Sequence, residues 1–122
     1  MKYIITFSIA LILSLSSIAQ TGLVFSQCLT FGGQTDIIVS NQPYSQEYTV
    51  PEGKIWKIEY AGGEAYSGTS PIYLIINDIK ACTINNGIIR NPIWVKPGDR
   101  IKISGPFSTW DYFISILEFQ TN

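Results

Sequence analysis

The chain has 122 residues, a formal net charge of −1 and no histidine, with 46% hydrophobic and 14% charged residues. This length suits one domain, and the lack of a basic excess argues against nucleic acid or an anionic membrane surface as a partner. The lack of histidine removes the commonest general base, the Ser-His and Cys-His nucleophile pairs and most zinc sites.

Residues 1–19 have the pattern of a cleaved secretory signal peptide. Lys2 supplies a short positive region, an apolar run follows, and Ser17 and Ala19 place small residues at −3 and −1 of the cleavage site. The alternative is a membrane anchor, but the apolar run is shorter than the ~20 residues of a spanning helix. We therefore expect a secreted protein, extracellular or periplasmic, with no membrane span after cleavage.

The first part of the remaining chain reads as strands with no helical periodicity. Residues 20–35 predict an N-terminal leader that contains one strand, over 24–31. Residues 36–40 form a short apolar strand, and residues 44–50 alternate aromatic and polar side chains. The alternation over 54–60 predicts a half-buried strand, because side chains of period two point to opposite faces of a sheet.

Three turn signals follow from proline, glycine and asparagine. The sequence Val50-Pro51-Glu52-Gly53 predicts a type I turn, with proline at the first central position and glycine at the last. Asn77-Asp78 predicts a type I′ hairpin turn, because both residues tolerate positive φ. Lys96-Pro97-Gly98-Asp99 predicts a type II turn, with glycine at the position that requires positive φ.

The second part of the chain supplies the remaining strands. Residues 72–76 and 79–83 flank the Asn77-Asp78 turn and are apolar on both faces, and Asn85-Asn86-Gly87 predicts another tight turn. Strands flank the Pro97-Gly98 turn, and the closing strand over 112–119 is again apolar on both faces. About eight strands joined by short turns predict an all-β fold, an antiparallel β-sandwich of jelly-roll type over residues 36–122.

Two cysteines, Cys28 and Cys82, leave two alternatives open. In an oxidising compartment a disulfide between them would close a long loop and stabilise the fold by ~3–4 kcal/mol. Alternatively they are two separate buried thiols, since cysteine often acts as a small core residue. The sequence does not define their Cβ separation, on which a bridge depends.

Aromatic residues are better candidates for a functional site than the carboxylates. The nine acidic residues are spread singly along the chain. They predict no catalytic pair, no metal site and no cofactor. Trp110 and Tyr66 lie in predicted loops, where exposed rings could stack on a sugar while Asp111 holds its hydroxyls. The alternative is that Trp110 folds back and caps one end of the sandwich. Trp56 and Trp94 lie on predicted strands and are expected in the core.

Two segments resemble known families. The run from Tyr48 to Ile58 resembles a T-V-P-x-G-K-x-W-K-I pattern of small uncharacterised secreted bacterial proteins and phage-tail-like β modules, which implies no activity. The strand that begins at Gly98-Asp99 and the closing strand 112–117 are similar to the last two strands of C1q/TNF-like jelly rolls. That resemblance implies assembly as a trimer. The chain departs from the family at Ser115, where glycine is usual, and in its N-terminal strands.

Three functional hypotheses follow. The first is a secreted, non-enzymatic binding or assembly module that associates with itself, because strands that are apolar on both faces need a second cover. The second is a carbohydrate-binding module that uses Trp110, Tyr66 and Asp111 on a glycan or cell-surface ligand. The third is a small hydrolase that depends on carboxylates, for which no base and nucleophile pair can be named.

Overall fold

The computed structural model describes residues 22–66, 68, 70–84 and 92–121. Every regular element in these ranges is a β-strand, so the predicted all-β class is confirmed. The predicted signal peptide and the Asn85-Asn86-Gly87 turn lie outside the described residues. Ten strands occur: β1 (Leu23–Gln34), β2 (Ile37–Val39), β3 (Gln42–Tyr44), β4 (Tyr48–Thr49), β5 (Lys54–Gly63), β6 (Tyr73–Ile76), β7 (Ile79–Thr83), β8 (Ile93–Val95), β9 (Arg100–Ser104) and β10 (Asp111–Thr121).

The strands form two antiparallel sheets. The four-stranded sheet has the order β1-β10-β5-β8, and the six-stranded sheet has the order β2-β3-β9-β6-β7, with β4 also paired to β9. Most neighbours are distant in sequence, because the first strand pairs with the last and β5 pairs with both β10 and β8. Segment 20–35, expected as a leader with one strand, supplies β1, which lies at the edge of the four-stranded sheet.

One buried cluster holds the two sheets together as a sandwich. Alternate residues of β5 and β10 from the first sheet meet alternate residues of β6 and β9 from the second, as the period of a strand requires. The cluster contains Val50, Trp56, Ile58, Ala61, Leu74, Ile84, Val95, Ile101, Ile103, Trp110, Tyr112, Ile114 and Ile116. Tyr48 and Tyr112 join the two sheets through their hydroxyl groups, 2.5 Å apart.

Two of the predicted turns have the expected geometry. The Asp99 N–H donates to the carbonyl oxygen of Lys96 at 3.1 Å, and Gly98 has a φ of +86°, as a type II turn requires. Asn77 and Asp78 have φ values of +50° and +66°, which fit a type I′ turn. In both cases the local chemistry of the residues was sufficient to predict the turn.

Two other turns differ from the prediction. The turn after Val50 lies one residue later, because the Lys54 N–H donates to the carbonyl oxygen of Pro51 at 3.2 Å. Gly53 thereby takes the second central position with a φ of +74°, which excludes a type I turn. A further two-residue hairpin joins β2 to β3 at Ser40-Asn41, with φ values of +51° and +65°. This hairpin was not predicted, since residues 36–40 were expected to form a strand through Ser40.

Of the strands expected to be covered on both faces, β6 is, with Leu74 and the oppositely directed Ile75 both buried, whereas β7 and β10 are not. In β10 the residues Tyr112, Ile114 and Ile116 point into the core, whereas Phe113 is 41% exposed. Most of β7 is exposed, and Ile79 is 70% exposed. Part of the apolar surface predicted to be buried therefore faces solvent in the single chain.

Candidate interaction surface

The outward side of the four-stranded sheet carries five aromatic side chains. The cross-strand register puts Phe25 opposite Phe119. It puts Tyr60 opposite Ser115, which lies on the same face of β10 as Phe113. Trp94 lies opposite Lys57 on the neighbouring strand. Alternation with the inward residues of β10 and β8 directs Phe113, Phe119 and Trp94 outward. Tyr60 points outward because a bulge between Ile58 and Tyr60 shifts the register, although alternation from Trp56 and Ile58 would place it inward. We call this set the aromatic face: Phe25, Tyr60, Trp94, Phe113 and Phe119.

The aromatic face consists of two groups of rings in contact. Phe119 lies between Phe25, at a centroid distance of 5.9 Å, and Trp94, at 5.4 Å. Tyr60 and Phe113 form an edge-to-face pair at 5.2 Å. These separations are those of favourable aromatic pairs. The rings are nevertheless open to solvent, with exposures of 54% for Phe25 and 49% for Trp94.

Charge on this surface is partly neutralised. Lys57 projects beside Trp94, with its ammonium nitrogen 5.8 Å from the ring centroid. The same nitrogen forms an ion pair of 2.8 Å with Glu59. Because the pair is net neutral and Lys57 also lies against a ring, it adds little repulsion to an approaching apolar surface.

The outward side of the six-stranded sheet is different. Lys80 lies over the ring of Tyr73 at 4.4 Å, and Lys102 lies over the ring of Tyr44 at 4.6 Å. Lysine stems cover apolar surface while their charged ends stay in water. Arg100 is paired with Asp78 there at 2.9 Å. The centre of the six-stranded sheet thus has tyrosine rings covered by lysines and a charged outer surface, whereas the aromatic rings of the four-stranded sheet are uncovered. Exposed apolar side chains also occur on the edge strands of the six-stranded sheet, at Ile37, Ile38, Val39 and Ile79.

The structure buries Trp110, which corrects its assignment to an exposed ligand-binding loop. Its side chain is 1% exposed, and its indole N–H donates to the carbonyl oxygen of Glu64 at 3.1 Å. The ring packs against Gly63, where any Cβ would overlap it. Trp110 therefore caps one end of the sandwich, which was the alternative considered from the sequence. Its face is not accessible for stacking on a sugar.

The other two predicted site residues remain near the surface beside this cap. Tyr66 packs against Phe107 with a centroid distance of 6.0 Å, and Phe107 is 43% exposed. Asp111 is exposed, and its backbone N–H donates to a carboxylate oxygen of Glu64 at 3.3 Å. Sequence reasoning missed Phe107, although it lies in the same predicted loop as Trp110. The available signal was its position in a predicted loop, directly after Gly105-Pro106.

Of the two alternatives for the cysteines, the disulfide is not formed, since both are free thiols, and burial as a separate thiol applies only in part to Cys82 and not to the exposed Cys28. Cys28 is exposed on β1, opposite Leu117, and its neighbour Leu29 packs against the core. Cys82 lies on β7 in the other sheet and packs against the core, and this burial raises the pKa of its thiol. The Cys28 side chain therefore points outward from the four-stranded sheet, whereas the Cys82 side chain points toward the core from the six-stranded sheet.

A buried carboxylate lies on the inward side of the same sheet. Glu118 is 3% exposed, and it accepts hydrogen bonds from the indole N–H of Trp56 at 2.9 Å and the amide of Gln27 at 3.0 Å. Lys54 lies 3.8 Å away. Burial alone would raise the pKa of Glu118, but the hydrogen bonds and the lysine outweigh it and hold the pKa below its ordinary value.

Trp94 also departs from prediction, because it was expected in the core and is half exposed on the aromatic face. Trp56 was placed in the core and lies there, 3% exposed.

Of the residues that the structure describes, no three His, Cys, Asp or Glu side chains are grouped so that they could hold a metal ion. In the same ranges no helix has the length and apolarity to cross a membrane. Comparison with protein-family models, curated proteins and solved structures gave no match.

Proposed function

We propose that this protein is a secreted, non-enzymatic module that acts by assembling with copies of itself through the aromatic face. The observation that carries the proposal is the exposure of Phe25, Trp94 and Phe113 on one side of one sheet. Single exposed apolar side chains are normal on proteins, but grouped aromatic rings mark an interaction site. Aromatic residues are also the side chains that contribute most to binding once they are buried.

The contrast between the two outer surfaces supports this choice of face. On the six-stranded sheet, Lys80 and Lys102 cover tyrosine rings and ion pairs surround them. The four-stranded sheet has no such cover over Phe25 or Phe113 among the described residues. A monomer that works alone would gain solubility from the same covering on both sheets. The difference is expected if a second copy supplies the cover.

The strand order supports a jelly-roll topology, and the C1q/TNF-like families that the last two strands resemble assemble three copies of such a domain around an axis. If β3 and β4 are treated as one interrupted strand, and β2 as an added edge strand that folds back on β3, eight main strands result. The pairs are then the first with the eighth, the second with the seventh, the third with the sixth and the fourth with the fifth. This is the order that a long antiparallel hairpin adopts when it is rolled into a jelly roll. The sequence resemblance of the last two strands favours the same topology.

The test is the mass of the purified protein, measured by light scattering behind a sizing column at high micromolar concentration. We expect a mass that is a multiple of three chains. The double substitution Trp94→Ser with Phe113→Ser, called the face variant below, should lower that mass threefold while the protein stays folded. Ile79→Ser, at an apolar side chain that is 70% exposed outside the aromatic face, is the matched control and should leave the mass unchanged. A face variant with the same mass as the unmodified protein would refute the proposal.

The Tyr66–Phe107 pair favours glycan binding as a second candidate function. The two rings contact each other, and the exposed Asp111 follows Trp110, the residue that caps this end of the sandwich, so a stacking surface and a hydrogen-bond acceptor are both available to a sugar. Phe107 takes the stacking role that the sequence analysis gave to Trp110. The site is shallow, and its rings stand on loops rather than on strands.

Affinity electrophoresis on immobilised polysaccharides tests this candidate. Phe107→Ala and Tyr66→Ala should each remove the retardation without lowering the melting temperature, because both rings lie at the surface. Ile79→Ser is again a control that should leave the retardation unchanged. If no polysaccharide retards the unmodified protein, or if Phe107→Ala is retarded equally, glycan binding at this pair is rejected.

A further inference from the structure

The four sheet edges of this protein are not equally protected against pairing with another chain. Natural proteins protect exposed edges by keeping the strand short or by placing charges and prolines on it. The edge strands β8 and β2 have three residues each, and β7 has five with Lys80 among them. β1 is the exception, with 12 residues and neither a charged residue nor a proline.

The free side of β1 is long and regular. A bulge between Phe25 and Gln27 disturbs its start, but the pairing with β10 then continues in register from Gln27 to Gln34. On its other side, β1 has no neighbouring strand in the described part of the chain. Half of the backbone N–H and C=O groups along this stretch therefore point away from the sheet, where they form a template for another strand.

We propose that β1 pairs with β1 of a second copy in antiparallel orientation, so that two four-stranded sheets become one sheet of eight strands. A second copy suits this edge because an uncharged strand meets no like-charge repulsion from itself. An antiparallel pair of identical strands is also a closed two-fold contact, which uses the same surface on both copies and ends there. A strongly charged peptide would find no complementary charge along β1.

The faces of the strand restrict the register to two-fold axes that pass through a residue, and the apolar residues of β1 choose among these. Residues directly opposite each other in an antiparallel pair point to the same face, and Leu29 and Phe31 point inward while Cys28 and Thr30 point outward. Placing the two-fold axis at Thr30 keeps this division. It also sets Leu29 of each copy opposite Phe31 of the other. Both residues are only partly buried in the single chain, so the pairing covers apolar surface as well as backbone.

This contact is distinct from the aromatic face, because it uses the free backbone edge of β1 around Thr30, whereas β1 contributes only Phe25 to the aromatic face. The mass of the face variant tells the two apart. If both proposals hold, the face variant, which has lost the three-fold contact, still has the mass of two chains. If only the aromatic-face proposal fails, a substitution in β1 that blocks pairing still lowers the mass of the protein twofold.

The experiment places charge at the two-fold axis in the face variant. Thr30→Lys and Thr30→Glu each bring like charges directly opposite each other, and each should lower the mass from two chains to one. Mixing equal amounts of the two should restore two chains, because lysine then faces glutamate. Thr83→Lys, at an exposed position on the opposite sheet's edge, is the matched control and should stay at two chains. Circular dichroism checks that each variant retains its strands.

Oxidative crosslinking tests the register. Cα atoms directly opposite in an antiparallel pair are about 4.5–5.5 Å apart, within the reach of a disulfide. Thr30→Cys combined with Cys28→Ser should therefore give a covalent dimer on mild oxidation, whereas Cys28→Ser alone should not. A single-chain mass for the face variant, failure of Thr30→Lys to change a two-chain mass, or no crosslink through residue 30 would overturn the proposal.

Discussion

Trp110→Ala is expected to destabilise the fold strongly. The side chain is 1% exposed, packs against Gly63 and donates its indole N–H to the Glu64 carbonyl. Removing a buried tryptophan costs about 3–5 kcal/mol, including the cavity that it leaves. The free energy of unfolding of a small domain is only about 5–15 kcal/mol, so this is a large share of it. The melting temperature should fall by more than about 12 °C, because 1 kcal/mol corresponds to about 4–8 °C at this size.

Urea denaturation followed by circular dichroism measures this loss, and Trp94→Ala is the matched control because it removes the same side chain from an exposed position. Measured in the Phe113→Ser background, in which the proposed contact through the aromatic face is weakened, Trp94→Ala should cost no more than about 1 kcal/mol. Trp110→Phe should cost less than Trp110→Ala, because a ring still fills most of the space. If Trp110→Ala changes the unfolding free energy by less than about 1 kcal/mol, the burial assigned to this residue is wrong.

Two further predictions concern the same sheet. Because the folded-state pKa of Glu118 is lowered, its carboxylate stabilises the fold above the ordinary carboxyl pKa of about 4.3, and this contribution is lost as the pH falls through the lower folded value. The unmodified protein and the Glu118→Gln variant should therefore differ less in unfolding free energy at about pH 3 than at about pH 6. Urea titrations at each pH measure this difference, and a difference that does not depend on pH would contradict the prediction. Gly63→Ala should destabilise the fold by about 1–3 kcal/mol, since the new methyl group would overlap the carbonyl oxygen of Asp111 and the ring of Trp110. Thermal melts check this prediction, and an unchanged melting temperature would contradict it.

The turns show how much local sequence can predict. Pro97-Gly98 and Asn77-Asp78 have the φ values that their residue types favour, and strands with clear alternation, such as β9, were predicted with the correct inward face. The Ser40-Asn41 hairpin was missed because serine carries a weaker turn signal than glycine or aspartate. The turn after Val50 was displaced by one residue, since proline fits either of two neighbouring positions.

The exposure of the tryptophans could not be predicted in the same way. Trp94 was expected inside and is half exposed, and Trp110 was expected in an open loop and is buried. Alternation predicts that a strand has two faces, but it does not say which of two apolar faces receives the other sheet. In β8 the inward position falls to Val95, because Trp94 lies opposite the outward Lys57.

The sequence by itself determined the all-β class, the Asn77-Asp78 hairpin and the Pro97-Gly98 turn. These features depend on backbone preferences and on the period of two, which act between residues close in the chain. Only the tertiary structure decided that β1 lies against β10, that Trp110 closes one end of the sandwich and that the aromatic face remains open. Those outcomes depend on contacts between residues far apart in the chain, such as Phe25 and Phe119, which no local pattern encodes.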